Sequence, residues 1–346
     1  MAISPAVPAC IVLAHEDPAH VRRLVEALDP FPVFLHCDAR TPETVFRAMT
    51  DGLPDRVRLL PRIRTGWARW ENVAAEVSGY RAALAETDAS HVAVLTGSDY
   101  PLANPAEITA LLESHREESF ISVNPLPFAP WGRDGGISRI RFRHWAWRKH
   151  MLRLPVPRRV PAKVAFAGGS QLKVLARRHA AAVVDTVDQR PDLVRFWQRT
   201  WVADETFVPS VLNSPSLTPG FADEHVSQPL WWIGWDGTAR KSPPWLTVAD
   251  AGQLLERRTN ADVEVQHLFA RKFSTDRSGD LLDVVDAAFG LRQGAGAATG
   301  SGSASASGSA SASASASASA SASASASASA SVSASARQDA AAVIAP

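Results

Sequence analysis

Apolar positions along this chain come in short blocks separated by longer amphipathic stretches. Residues 10–14, 33–35, 57–60, 92–95 and 120–123 are mostly apolar runs of strand length. Between and beyond them, residues 21–28, 43–49, 73–84, 107–112, 172–187 and 204–212 repeat apolar side chains at helical spacing. Asp17-Pro18 stands just ahead of the first of these, a combination that starts helices. Parallel strands need a long crossover, so strands alternating with helices predict an α/β domain on a doubly wound, mostly parallel sheet. Ligands of such sheets bind outside the carboxyl ends of the strands. Polar residues that close a strand are therefore the ones to read for chemistry.

The pattern stops near residue 292. From Gly294 to Ala336 the chain is almost purely Gly, Ala and Ser, with too little bulk to offset the entropy of ordering it. One domain over 1–292 and a disordered tail over 293–346 are expected. Lys plus Arg number 36 against 35 Asp plus Glu, so the formal net charge is +1. With 46% apolar and 21% charged residues, a polybasic nucleic-acid coat and an acidic solvating protein are both excluded. The two cysteines, Cys10 and Cys37, sit in apolar runs and read as buried thiols in a reducing compartment. The first residues lack a basic leader, and the apolar stretch 9–14 is far shorter than the ~20 residues of a membrane span. A soluble cytoplasmic protein is the expectation, with peripheral contact at an anionic membrane left open.

Several familiar chemistries are missing from the sequence. No GxGxxG or GxxxxGK[ST] loop follows a strand, and there is neither a GxSxG elbow nor an HExxH helix. Asp-x-Asp is absent and the histidines do not cluster, so no metal is expected. Strand ends are more informative. VFLHCDAR closes on His36 and Asp38, and VLTGSDYPL on Thr96, Ser98 and Asp99. A carboxylate there can accept from a ribose hydroxyl or a base N–H, or it can cap a turn.

Neutral overall charge hides an uneven distribution. Between Gly135 and Val184 there is no acidic residue, against twelve Arg and Lys, with Arg139, Arg141, Arg143, Trp145 and Trp147 in its dense part. An acidic polymer or lipid, an anionic substrate, or solvent alone would suit such a face. Arg139, Arg141 and Arg143 alternate as if sharing one face of a strand. All eleven tryptophans fall between Trp67 and Trp245, and the Trp231–Trp235 run is the one best suited to approach a sugar. Asp204-Glu205 opens a helical run, where acids favour the helix start or, in a cleft, serve as a base. Lys272 in LFARKF, and Arg240-Lys241 before two prolines, are cations able to neutralise a departing diphosphate.

Taken in order, IVLAHEDPAHVRRLVEAL, VFLHCDAR, GWARWENVAAEV, VLTGSDYPL, GGSQLKVLARRH, VADETFVPSVLNS and LFARKF resemble the core-2/I-branching β-1,6-N-acetylglucosaminyltransferase family. That family, glycosyltransferase family 14, also contains peptide O-xylosyltransferases. The resemblance implies a GT-A-like fold and an inverting transfer from a UDP-sugar, N-acetylglucosamine ahead of xylose, without a metal ion. It implies Glu205 as the catalytic base and Lys272, with Lys241 or Arg240, at the diphosphate. It further implies donor contacts at Ala14, His15, His36, Asp38, Trp67 and Asp99.

Other features depart from that pattern. Neither the membrane anchor nor the disulfides of the animal enzymes are expected here, and the family's acceptor-gripping acid has no match in the acid-free stretch. Arg141, Arg143, Trp145 and Trp232 are the acceptor candidates instead, for a glycan, glycolipid or peptide. Two other classes stand beside transfer: a non-catalytic nucleotide-sugar binder and an anionic-polymer binder. Nucleic acid is not an expected partner, and the sequence does not fix an oligomeric state.

Overall fold

A computed structural model of the protein describes residues 7–147, 150–235, 242–259 and 266–292. Arg240, Lys241 and the 293–346 tail lie outside the described residues. In chain order the first half comprises β1 (Pro8–Ala14), α1 (Pro18–Ala27), β2 (Val33–Cys37), α2 (Glu43–Thr50), β3 (Val57–Leu59), α3 (Trp70–Glu86), β4 (His91–Thr96), β5 (Asp99–Pro101), α4 (Pro105–Ser114), β6 (Ser119–Phe120) and β7 (Asn124–Pro125). There follow α5 (Ile137–Arg141), β8 (Phe142–Trp147), β9 (His150–Pro157), β10 (Ala167–Gly168), β11 (Lys173–Ala176), α6 (Arg177–Gln189), α7 (Pro191–Trp197) and α8 (Ala203–Leu212). Last come β12 (His225–Val226), β13 (Trp231–Ile233), α9 (Ala251–Thr259), β14 (Phe269–Arg271) and α10 (Thr275–Phe289).

Seven strands form the central sheet in the order β12-β6-β11-β4-β1-β2-β3, parallel except for β11, which runs against both β4 and β6. The expected α/β class and mostly parallel sheet are present. Both faces of the sheet are covered, and the pleat sorts the side chains. Cys10, Val12 and Ala14 of β1 join one hydrophobic cluster with α1 and α10, while Ala9 and Ile11 join a second with α3, α6 and α8. Each large apolar side chain so buried contributes ~1.5–3 kcal/mol. Helix α1 begins as its sequence suggests: Asp17 Oδ1 accepts from the backbone N–H of His20 at 3.1 Å, with Pro18 in the first turn. Both cysteines are buried, and burial pushes the Cys10 thiol up to about 12.

A second sheet, β13-β14-β5, sets Arg271 opposite Asp99, two residues far apart in sequence. Two expectations need correcting. Residues 172–187 are not one helix, because Lys173–Ala176 joins the sheet as β11 and only then does α6 begin. Arg139 and Arg141 do not share a strand face with Arg143. Gly135 and Gly136 take positive φ, Asp134 accepts from the N–H groups of Gly136 and Ser138, and that turn launches the short helix α5.

Candidate functional site

A cleft of about 340 Å³ opens at the carboxyl ends of β1, β2 and β4. It gathers Ala14, His15, His36, Asp38, Trp67, Thr96, Ser98 and Lys272, eight residues read from the sequence, together with Arg271, Arg40, Thr65 and Asn72. Parallel strands end together there, so side chains distant in sequence converge.

The carboxylate of Asp38 is held by its own loop. Burial opposes its charge, but Arg40, through its backbone N–H at 2.7 Å and its guanidinium at 2.8 Å, and the Thr65 hydroxyl hold this carboxyl well below the usual range. These bonds hold the segment that leads to Trp67, a residue 60% exposed. His36 accepts from the backbone N–H of Ile63 at 3.0 Å through Nε2, a bond that suits the tautomer with its proton on Nδ1, and burial lowers its pKa.

Asp99 does not line the cleft. It is fully buried, accepting from the Thr96 N–H at 2.8 Å and from Arg271 Nη1 at 2.8 Å. It stands behind Arg271, which does line the cleft, and its carboxylate holds that guanidinium in place. Lys272 is half-buried, its ammonium 3.9 Å from the centre of the Trp245 ring. Burial lowers its pKa and neighbouring Arg271 lowers it further, while Glu16 opposes both. Two adjacent cations therefore stand on one wall of the cleft.

Glu205 lies in the first turn of α8, where the helix dipole favours negative charge. The residue before that helix, Val202, takes φ 57°, and its N–H bonds at 3.0 Å to the carbonyl of Ala68, itself at φ 59°. Left-handed backbone at a non-glycine costs on the order of 1–3 kcal/mol and gathers at functional sites. This pair ties the Trp67 segment to the start of α8. Asn72 makes a second tie, from the cleft wall to Asp204 Oδ2 at 3.1 Å.

Burial raises the Glu205 pKa to about 8, helped by the neighbouring Asp204 charge and opposed by Arg139. Arg139 is the near cation, with Nη1 3.6 Å from Glu205 Oε2, and 27% of the Glu205 side chain stays open. The guanidinium is stacked on the Trp131 ring at 3.9 Å and lies 5.4 Å from that of Trp201, which meets Trp67 edge-on. Two glycines let this assembly close. A Cβ on Gly168 would sit 2.0 Å from the Trp131 indole, and one on Gly169 would sit 2.0 Å from the Ser122 carbonyl. The Gly169 N–H instead reaches the Glu205 carbonyl at 2.9 Å. Beneath them Lys173 and Glu76 form a fully buried pair at 2.8 Å, with the Tyr80 hydroxyl donating to the same Glu76 oxygen at 2.6 Å.

The acceptor candidates do not converge on this place. Trp232 is a core residue with 7% exposure, packed in the second sheet. Arg143 is exposed on β8, Trp145 lies beneath the Arg199 guanidinium, and Arg141 lines a separate apolar cavity of about 490 Å³. Arg139 is what the acid-free stretch delivers to the site. Its signal was present as charge asymmetry, but nothing local distinguished it from its neighbours. Among the described residues, no group of three or more His, Cys, Asp or Glu side chains is placed to hold a metal ion.

Comparison with known proteins bears on the family. The chain is similar to xylosyltransferase 2 of Rattus norvegicus, 24% identical over 208 residues, which are 56% of this chain and 22% of that protein. Human xylosyltransferase 1 is 30% identical over 167 residues, 46% of this chain and 17% of that one. The chain thus spans less than a quarter of the length of these curated relatives. Among solved structures, HddC from Yersinia pseudotuberculosis overlaps 50% of this chain and 78% of its own, at 11% identity and a TM-score of 0.26. The Core-2/I-Branching enzyme family model matches residues 20–255. That span takes in Asp38, Trp67, Asn72, Arg139 and Glu205, and on it the chain belongs to the Core-2/I-Branching enzyme family, a family of glycosyltransferases.

Proposed function

We propose that this protein transfers a sugar from a UDP-sugar to an acceptor hydroxyl, with inversion and without a metal ion. One observation carries the reading: a strand-end cleft with Arg271 and Lys272 on its wall is tied through Asn72 and the Ala68–Val202 bond to the turn that bears Glu205. In this reading the nucleotide lies against Ala14, His15, His36 and the Asp38 loop, with its diphosphate at Arg271 and Lys272. Arg240 and Lys241 are further candidates for the same charge.

Transfer is then a single displacement. Glu205 takes the proton from the acceptor hydroxyl, whose oxygen attacks the anomeric carbon from the face opposite the leaving group. The bond from that carbon to the diphosphate oxygen breaks, and UDP leaves with the electron pair. A positioned base contributes typically 10²–10⁴-fold to such a step, and cations aimed at developing charge contribute ~10²–10³. A carboxyl that keeps its proton up to about pH 8 is a stronger base than an ordinary one.

The family at large implies N-acetylglucosamine as the sugar, in β-1,6 linkage. The relatives named xylosyltransferases favour xylose. The acceptor is a glycan, glycolipid or peptide. A panel of UDP-sugars, scored by UDP release with each acceptor class, tests the reading. Turnover with UDP-xylose or UDP-N-acetylglucosamine that persists in EDTA supports it. Strict dependence on manganese, or donor binding without transfer or hydrolysis, overturns it.

A further inference from the structure

The hairpin β8–β9 is a two-stranded sheet with differently made faces. Paired residues of antiparallel strands share a face, so His144 and Arg153 lie on one side and Trp145 and Leu152 on the other. His144 is 4% exposed beside the Trp201 ring, so its side meets the protein body on β8, while its β9 partner Arg153 on that side is exposed. The opposite side points outward and is apolar. Leu152, Leu154 and Val156 alternate along β9 at 48%, 39% and 66% exposure, and Val160 follows at 44%. A soluble surface scatters such side chains singly; a row of them on one strand face marks an interaction site.

Charge around that row has one sign. Arg143, Arg153, Arg159 and Lys163 are exposed nearby in sequence, and no acid occurs from Gly135 to Val184. Apolar side chains with exposed arginines close by in sequence, and Trp145 on the same face as Leu152, match the boundary between anionic headgroups and acyl chains. Beyond the row, Pro157 and Val160 line the 490 Å³ cavity with Ile137, Ile140 and Phe166. Among the described residues no helix is long and apolar enough to cross a membrane.

From this juxtaposition we infer that the outer face of the β8–β9 hairpin docks on an anionic lipid bilayer, Leu152, Leu154 and Val156 entering the interface and the flanking arginines meeting headgroup phosphates. The inference does not depend on the transfer chemistry. Neutralising surface charge with salt should loosen the complex, and removing the apolar row should abolish its salt-resistant part.

Co-sedimentation of the full chain with vesicles tests it, comparing phosphatidylcholine alone with an equal mixture of phosphatidylcholine and phosphatidylglycerol. Binding is expected only to the mixture. The combined variant Arg153→Gln/Arg159→Gln should weaken it by about fivefold for each arginine. Leu152→Ser/Leu154→Ser/Val156→Ser should weaken it about tenfold or more. Both variants should keep the parent's thermal midpoint, since the altered side chains are exposed. Three results each overturn the inference: no preference for the anionic mixture, binding indifferent to the serine variant, or a dimer in solution that the serine variant dissociates.

Discussion

Arg139 offers a direct handle on the proposed base, Glu205. Its guanidinium is 3.6 Å from Glu205, and the pair is buried between tryptophans with part of the carboxyl open. At that separation Coulomb attraction is ~5 kcal/mol for an effective dielectric of ~20 and ~1 kcal/mol for ~80. The open quarter of Glu205 argues for the lower half of that range. Since ~1.4 kcal/mol corresponds to one pH unit, losing the cation should raise the Glu205 pKa from about 8 by roughly one unit. Arg139→Met keeps most of the volume between Trp131 and Trp201 and removes only the charge. The assay is kcat/KM against pH, followed by UDP release. The acid limb, set by ionisation of Glu205, should move up by roughly one unit. Near pH 7.5 the variant should be about tenfold slower, with the gap narrowing as pH rises. Arg139→Lys should recover much of the parent profile. A uniform loss at every pH, with the limb unmoved, would refute the reasoning and reduce Arg139 to packing.

Stability should carry the opposite signature of the same carboxyl. Between the ordinary Glu value of 4.5 and about 8 the folded state keeps a proton that the unfolded state releases, so Glu205 costs the fold stability as pH rises through that window. Glu205→Gln should therefore raise the thermal midpoint at pH 9 and leave it nearly unchanged at pH 4.5; equal shifts at both would count against the raised pKa. Arg271→Ala should weaken UDP binding about tenfold or more by calorimetry, and Asp99→Asn should do so less, since Asp99 acts through Arg271. Unchanged affinity in Arg271→Ala would remove the diphosphate from that rim. Lys173→Met strands Glu76 in the core and should cost about 3–5 kcal/mol in urea denaturation, with most of it restored in Lys173→Met/Glu76→Gln. A single variant as stable as the parent would show that Glu76 is satisfied without its lysine.

How far the residues announced all this depends on how local each signal was. Strands β1, β2 and β4 and helices α1, α2 and α3 follow from runs and spacings that need nothing beyond their own segment. His36 and Asp38 were legible for the same reason, as polar residues that close a strand. Strand β11 was not. Lys173 among apolar neighbours fits a helical wheel, and it becomes a strand residue only because Glu76, 97 positions away, accepts its charge inside the core. The role of Asp99 was hidden likewise, since its partner Arg271 lies 172 positions on and meets it only through the β5–β14 register. Glu205 was visible as an acid at a helix start. The cation that tunes it was one arginine among many until α5 turned it toward the tryptophans.

One measurement bears most directly on the central claim. Glu205→Gln keeps the shape of the side chain and removes its basicity. With donor and acceptor saturating, transfer should fall by about 10²–10⁴-fold while UDP affinity stays within about twofold of the parent. Turnover undiminished in that variant would contradict the assignment of Glu205 as the base.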